Sequence, residues 1–159
     1  MNRLLASLVL LGAIATHAEE LKVVAKSFEA DEQKGYSIFK GDVIITKGSD
    51  EINASKVTVY MDQERKPTRF IAEGNVAFAI STLNGDRYSG KAQELRFFPQ
   101  EKAYHFYTDV HIRQLNKQKE ITGDEVVVDL KAGRAVAKGG EKKPVMMIFN
   151  IEDANQSHD

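Results

Sequence analysis

Few polar side chains in this sequence have the spacing that catalysis or metal binding requires. His105 and His111 are six residues apart on the outward face of one predicted strand, too distant for ready co-ligation of a metal ion. Asp42, Asp109 and Asp124 follow turns or bends and form no visible catalytic motif, so a two-carboxylate hydrolase is only an alternative. The sequence has no G-x-S-x-G, no H-E-x-x-H and no phosphate-binding glycine loop. We therefore predict no enzyme active site, no metal site and no cofactor.

Composition excludes two further classes of function. The chain has no cysteine, which removes thiol catalysis, redox chemistry and cysteine-ligated zinc. Its 22 basic and 23 acidic residues give a formal net charge of −1, so there is no basic excess to drive nucleic-acid binding. Eight Phe and five Tyr are left for packing, since tryptophan is absent.

The first residues predict the compartment. Arg3 is followed by an apolar stretch over Leu4–Ile14 and by small residues at Thr16 and Ala18, which is the pattern of a secretory signal peptide cleaved after Ala18. A retained anchor helix is the alternative, but the stretch is short for a membrane span. We expect a signal peptide over 1–18, one domain over 19–151 and a disordered polar tail over 152–159.

The remainder of the chain alternates between apolar and polar residues, which is the pattern of β-strands. The clearest run is Phe70–Ile80, and Tyr104–Ile112 and Phe39–Ile45 behave likewise. Turn-forming residues such as Gly48-Ser49 and Asn84-Gly85 separate the runs, and no helical period is sustained over three turns. The fold class predicted is all-β, with a first strand within 21–28 and last strands at 135–138 and 145–151.

A weak internal repeat organises these strands. Phe39–Val43, Ala72–Val76 and Phe106–Val110 share a pattern and place their valines 33 and then 34 residues apart. Each is followed by a strand whose apolar phase slips by one residue just after a small residue, which predicts a bulge or bend. These bends are expected at Ser55-Lys56, Gln93-Glu94 and Asp124-Glu125. Stacked hairpins with bent strands predict an open-ended rolled antiparallel sheet, a β-jellyroll.

The segment Phe39–Tyr60, FKGDVIITKGSDEINASKVTVY, resembles a hairpin typical of one family nearly position for position. That hairpin has the form F-x-G-x-V-x-[IV]-x-x-G followed by I-x-A-[DS]-K-V-x-V. Weaker matches are Lys66–Phe70 and Ile121–Val126, and the likeness extends over 21–149. The chain thus resembles the OstA-like domain family of periplasmic lipopolysaccharide-transport proteins.

This resemblance implies a function as well as a fold. Members of the family bind the lipid A part of lipopolysaccharide in an apolar interior groove of a β-jellyroll. They join end to end between the inner and outer membranes. The partners it implies are lipopolysaccharide, LptC-like inner-membrane and LptD-like outer-membrane OstA domains, and further copies of the same chain in head-to-tail association. The location it implies is the periplasm, and an edge-strand scaffolding module for outer-membrane assembly without lipid carriage is the alternative.

The groove must be lined by the inward phase of the repeat, although the same residues could serve as ordinary core. We rank Leu21, Val23, Phe70 and Phe97 first, because two lie on the presumed edge strand and two are large aromatics of the central hairpin. The predicted lipid-binding residues are Leu21, Val23, Phe39, Val43, Ile45, Val59, Phe70, Val76, Phe78, Leu95, Phe97, Phe106, Val110 and Val126.

Two N-x-[ST] motifs predict a modification site, each with an acidic residue two positions before the asparagine. This extended form resembles the bacterial N-glycosylation acceptor. Asn155 is the better candidate because it lies in the predicted tail, whereas Asn53 lies within a strand. Chance occurrence is the alternative for either motif.

Overall fold

The computed structural model of the protein describes residues 20–151, and every regular element in this range is a β-strand. The predicted signal peptide, the polar tail and Asn155 lie outside the described residues. Strands form where alternating β-branched and aromatic side chains suit a pleated, half-buried surface. They are β1 (Leu21–Val24), β2 (Ser27–Asp31), β3 (Tyr36–Lys47), β4 (Asp50–Met61), β5 (Pro67–Ser81), β6 (Arg87–Phe98), β7 (Ala103–Gln114), β8 (Lys119–Asp129), β9 (Arg134–Lys138) and β10 (Met146–Phe149).

All ten strands belong to one antiparallel sheet. The long strands β3 to β8 pair in sequence order, β1 and β2 both pair with β3, and β9 and β10 both pair with β8. The sheet is open, because β1 and β2 form one edge and β9 and β10 form the other. The predicted fold class, an open antiparallel all-β sheet built from consecutive hairpins, is confirmed.

The N-terminal edge differs from the prediction of a first strand within 21–28. It contains two strands, since the chain leaves the sheet at Ala25 and Lys26. The backbone N–H of Lys26 donates to the carbonyl oxygens of Lys40 and Gly41, both at 3.1 Å. This is the point at which β3 itself is irregular, and a straight strand cannot follow it.

The bends occur at the predicted levels of the sheet, but the extra residues lie on the partner strands. Ser55, Gln93 and Asp124 each stand opposite two residues rather than carrying the insertion themselves. Our assignment of the bulges to these even-numbered strands is therefore wrong. The inserted pairs have positive φ, the left-handed conformation that glycine and asparagine adopt most readily. The pairs are Gly41-Asp42, Gly74-Asn75 and Thr108-Asp109.

The internal repeat itself is confirmed by the register of the sheet. In each of the three central hairpins the valine of the first strand stands opposite the small residue of the second. The pairs are Val43 with Ala54, Val76 with Ala92, and Val110 with Gly123.

The line of bulges folds the sheet into two layers. Layer A contains β1, β10 and residues 43–54, 76–92 and 110–123; layer B contains β2, β9 and residues 36–40, 56–73, 94–107 and 125–129. The inward faces of the layers meet where the rings of Phe78 and Phe106 lie 4.4 Å apart between centroids. The buried core packs between the two layers.

Candidate functional site

A cavity of about 720 Å³ lies between the two layers. Its walls are mostly apolar, and both layers contribute. Its apolar lining residues are Leu21, Ile45, Ile52 and Leu83 from layer A or its turns, and Val57, Pro67, Phe70, Ala72, Leu95, Phe97, Pro99, Tyr104 and Leu130 from layer B or its ends.

The predicted lipid-binding residues divide into two groups. Leu21, Ile45, Phe70, Leu95 and Phe97 line the cavity. The others pack in the core or against it, and do not line the cavity. They are Val23, Phe39, Val43, Val59, Val76, Phe78, Phe106, Val110 and Val126.

Eight apolar lining residues were absent from the predicted set: Ile52, Val57, Pro67, Ala72, Leu83, Pro99, Tyr104 and Leu130. Tyr104 follows the inward phase of β7 and Ile52 that of β4, so alternation alone could have identified both. Leu83 lies in the turn between β5 and β6, where no alternation exists to indicate its direction. Of the four residues ranked first, only Val23 does not line the cavity.

One wall of the cavity is aromatic. The Phe97 and Tyr104 rings stack at 4.6 Å, and the Phe70 ring lies 6.1 Å from that of Phe97. Register explains the row, because Phe70 pairs with Phe97 and Phe97 with Tyr104 on neighbouring strands. Burial, with a smaller effect from the negative charge of Asp50, raises the pKa of Tyr104 above its ordinary value, so this phenol is neutral at physiological pH.

The rim of the cavity is polar and fixed by hydrogen bonds between turns. The backbone N–H of Ser81 donates to Asp50 Oδ1 at 2.8 Å, which joins β5 to the start of β4. The Arg87 guanidinium donates to Ser49 Oγ at 3.1 Å and to Ser81 Oγ at 2.9 Å. These contacts join the turn between β3 and β4 to the β5–β6 hairpin.

Both ends of the rolled sheet expose apolar edge strands. Met146, Met147, Ile148 and Phe149 of β10 are each about half exposed, and at the other edge Phe28 is 61% exposed and Leu21 48%. Exposed apolar strands with unpaired backbone groups favour pairing with another strand.

Two other kinds of site are absent from residues 20–151. No helix there has the length and hydrophobicity of a membrane span. Nor does this part of the chain bring together three or more His, Asp or Glu side chains in a group that could hold a metal ion.

The fold and the cavity together define a β-jellyroll protein with an apolar interior and open ends. Residues 22–134 match the family described as "LptA/(LptD N-terminal domain) LPS transport protein". The chain belongs to this family of lipopolysaccharide-transport proteins, which confirms the resemblance of its hairpin motif.

Relatives with curated names are similar over most of the chain. The lipopolysaccharide export system protein LptA of Haemophilus influenzae is 24% identical over 134 residues, covering 82% of this chain and 77% of the relative. The lipopolysaccharide export system protein LptH of Pseudomonas aeruginosa is 25% identical over 128 residues, covering 74% of this chain and 70% of the relative.

A solved structure shares the fold. The crystal structure of LptH from Pseudomonas aeruginosa, titled the LptA-homologous periplasmic component of a lipopolysaccharide transport device, superposes with a TM-score of 0.73. The superposition covers 84% of this chain and 96% of the LptH chain. Because the sequence identity is only 17%, this likeness supports the fold alone.

Proposed function

We propose that this protein is a periplasmic carrier that binds lipopolysaccharide through its acyl chains, with no chemical step. Copies joined end to end would form a bridge from the inner to the outer membrane. Residues 1–18 would direct secretion and be removed after Ala18. The observation that carries the proposal is the apolar cavity between the two layers, in a member of a lipopolysaccharide-transport family.

The energetics of acyl chains explain why such a carrier needs a cavity. Burying one CH₂ group stabilises by about 0.8 kcal/mol, so a chain of a dozen carbons gains about 10 kcal/mol by leaving water. Transfer with the chains exposed would lose this energy for each chain. A cavity of about 720 Å³ lies within the ordinary size range of ligand sites, roughly 300–1,000 Å³.

Photocrosslinking in living cells tests lipid binding directly. A photoreactive amino acid at Phe70 or Phe97 faces the cavity and should capture lipopolysaccharide. The same amino acid at Lys91 or Arg113 faces outward and should not. Equal labelling of the two sets would refute a selective interior site.

The two edges of the sheet are complementary in direction and in polarity. Since β2 runs antiparallel to β3 and β9 antiparallel to β8, β9 of one copy would meet β2 of the next in antiparallel orientation. β2 carries Glu29 and Asp31, whereas β9 carries Arg134 and Lys138. Pairing of unlike edges brings opposite charges together, and pairing of like edges would bring like charges together. Charge therefore favours head-to-tail over head-to-head association.

The bulge line sets the register of this junction. Ser27 pairs with Lys40, just before the bulge of β3, and Lys138 pairs with Glu125, just after the bend of β8. A continuous bulge line across two copies places Ser27 opposite Lys138 and thus Asp31 opposite Arg134. In layer A the same alignment joins the inward row of β10, Met147 and Phe149, to that of β1, Val23 and Leu21. The apolar interior then continues from one copy to the next.

Asp31→Asn tests this ion pair without disturbing the β2–β3 turn. Asp31 Oδ1 accepts hydrogen bonds from the backbone N–H groups of Gln33 and Lys34, and an asparagine oxygen can accept both. Association should weaken by about 2- to 5-fold at low salt in sedimentation velocity. Asp62→Asn is the matched control, because Asp62 accepts from Glu64 and Lys66 in the β4–β5 turn, away from either edge.

Combining the two partners separates the ion pair from the assembly itself. Arg134→Gln should weaken association as much as Asp31→Asn, and the double variant should be no weaker than either, because both remove one interaction. Additive losses would contradict the Asp31–Arg134 pair but not end-to-end association. A wild-type protein that stays monomeric at high concentration would contradict the bridge.

A scaffolding module that uses its edges alone is the second candidate, favoured by the exposed β10 strand. A fluorescent apolar probe such as ANS distinguishes the two functions. A lipid carrier takes up the probe in its cavity and releases it when lipopolysaccharide is added, whereas a scaffold shows no such competition. In either function, we propose LptC-like and LptD-like OstA domains as the partners at the two ends. We also propose Asn155 as a glycosylation site.

A further inference from the structure

The edge strand β10 begins with two adjacent methionines. Met146 and Met147 are each 52% exposed. The sequence contains no cysteine, so methionine thioethers are the only sulfur atoms that an oxidant can attack. Met61, the remaining methionine within residues 20–151, is less exposed at 37% and ends β4, which has a neighbouring strand on each side. The most accessible thioethers in this part of the chain therefore lie together at one edge of the sheet.

The two side chains face opposite sides of the sheet, as successive residues of a strand do. Met147 pairs with Ile121, which pairs with the buried Ile112, so Met147 belongs to the inward face. Met146 pairs with Thr122 and faces outward. In the proposed assembly β1 of the next copy continues the inward row, whereas the outward row stays in water. The same oxidation thus has different consequences at two neighbouring residues.

We propose that Met147 is an oxidation site through which a hydroperoxide blocks end-to-end association. Hydrogen peroxide transfers one oxygen atom to the thioether: the O–O bond breaks, an S–O bond forms, the sulfur loses two electrons and water is released. The proposed location in the periplasm, an oxidising compartment, brings free ends into contact with such oxidants.

The effect on association follows from the polarity of the sulfoxide. Its oxygen is a hydrogen-bond acceptor, but the inward side chains of β1 in the next copy, Val23 and Leu21, offer no donor. Burying an acceptor without a donor is costly, so the oxidised end should pair poorly. A sulfoxide on Met146 stays in water in the free and in the assembled protein, and costs little. This inference rests on the proposed end-to-end assembly and names a chemical modification that regulates it.

Two variants that each keep one thioether of the pair test the site. Met61→Leu/Met146→Leu keeps Met147, and Met61→Leu/Met147→Leu keeps Met146. Leucine has a volume close to that of methionine and is not oxidised, so the fold should tolerate both sets of changes. Association is measured by sedimentation velocity before and after treatment of the purified protein with hydrogen peroxide. Peptide mass spectrometry confirms that the retained thioether has become the sulfoxide.

We expect oxidation to weaken association by about 10- to 100-fold in the variant that keeps Met147, the effect of a polar group buried without a partner. The variant that keeps Met146 is the matched control, and its association should not change. Treatment with the two methionine sulfoxide reductases, one for each epimer, should restore association. Circular dichroism should show the same β signal in both oxidised variants.

Equal weakening in both variants, or weakening in neither, would overturn the Met147 site and leave end-to-end assembly intact. A loss of the β signal on oxidation would also overturn it, because the sulfoxide would then act on folding rather than on the junction. If the untreated wild type stays monomeric at high concentration, the proposed assembly is refuted, and this inference with it.

Discussion

Phe97 and Phe98 are neighbours on β6 that face opposite sides of the sheet, and this allows cavity function to be separated from stability. Phe97 lines the cavity and stacks on Tyr104. Phe98 lies on the outer face, with its ring 5.0 Å from that of His105. Both side chains are partly buried. The same substitution to aspartate can therefore be made at both positions.

The expected losses of folding stability are similar for Phe97→Asp and Phe98→Asp. Removing a half-buried phenyl group costs about 1 kcal/mol. Each aromatic contact adds about 0.5–1.5 kcal/mol, with two such contacts at Phe97 and one at Phe98. We therefore expect losses of about 2–4 kcal/mol at Phe97 and about 1.5–2.5 kcal/mol at Phe98, which overlap. The poor strand propensity of aspartate acts equally on both.

The expected losses of lipid binding are very different. In the free Phe97→Asp protein the new carboxylate can reach water through the open rim, but a bound acyl chain would bury it. That burial costs several kcal/mol, which corresponds to an affinity at least about 100-fold weaker. The Phe98→Asp carboxylate stays in water with or without ligand, so its affinity should match the wild type.

Thermal melts followed by circular dichroism measure the stability, and displacement of ANS by lipopolysaccharide measures the affinity. Comparable melts with a selective loss of binding in Phe97→Asp are the expected outcome. If a folded Phe97→Asp protein binds lipopolysaccharide as tightly as Phe98→Asp, acyl chains do not enter this cavity and our reasoning fails.

Three further changes test the backbone and the outer face. Thr108→Gly should stabilise the folded protein by about 0.5–1 kcal/mol and raise Tm by about 2–4 °C. The reason is that the strain of a β-branched residue at φ +66° exceeds the extra conformational entropy that glycine loses on folding. An unchanged or lower Tm would show that Thr108 is unstrained. Gly90→Ala should cost about 2 kcal/mol or more in urea unfolding, because its Cβ would collide with the carbonyl oxygen of His111; full stability would contradict that approach. A hydrogen bond from Arg113 is the main cause that lowers the pKa of Glu120 below 4.5. This stabilisation is present above pH 4.5 and is lost as the pH falls through the folded-state pKa, so Arg113→Gln should flatten the acid side of a Tm–pH profile from about pH 3 to pH 6.

Strand positions and register could be predicted from the sequence because both depend on local alternation. The phase of the Phe70–Ile80 run fixes which side chains face inward, and the valine-to-small-residue pairing follows from the repeat. The side of each bulge could not be predicted in the same way. The insertion at Thr108 has positive φ without a glycine, so its sequence carries no conformational signal.

The division between core and cavity depends on distances between layers, which alternation does not encode. Val76 and Phe70 have the same inward phase on β5, yet Val76 is fully buried while Phe70 lines the cavity. Val76 packs within the core cluster, whereas Phe70 is part of the aromatic wall of the cavity. A sequence pattern can therefore identify the inward set but not the part of it that is free to meet a ligand.

The bend that creates the cavity also shapes both edges of the sheet. Each edge is interrupted at the bulge line, and each interruption is marked by an ion pair to a bulge aspartate: Lys26 to Asp42 at 2.9 Å and Lys143 to Asp109 at 3.1 Å. Each edge thus presents two short strands, one in each layer. A partner can pair with both strands only if its own sheet is bent at the same level, since a flat sheet would follow one layer and leave the other. Under the proposed assembly, the geometry that opens the interior would therefore also select partners whose interiors are in line with it.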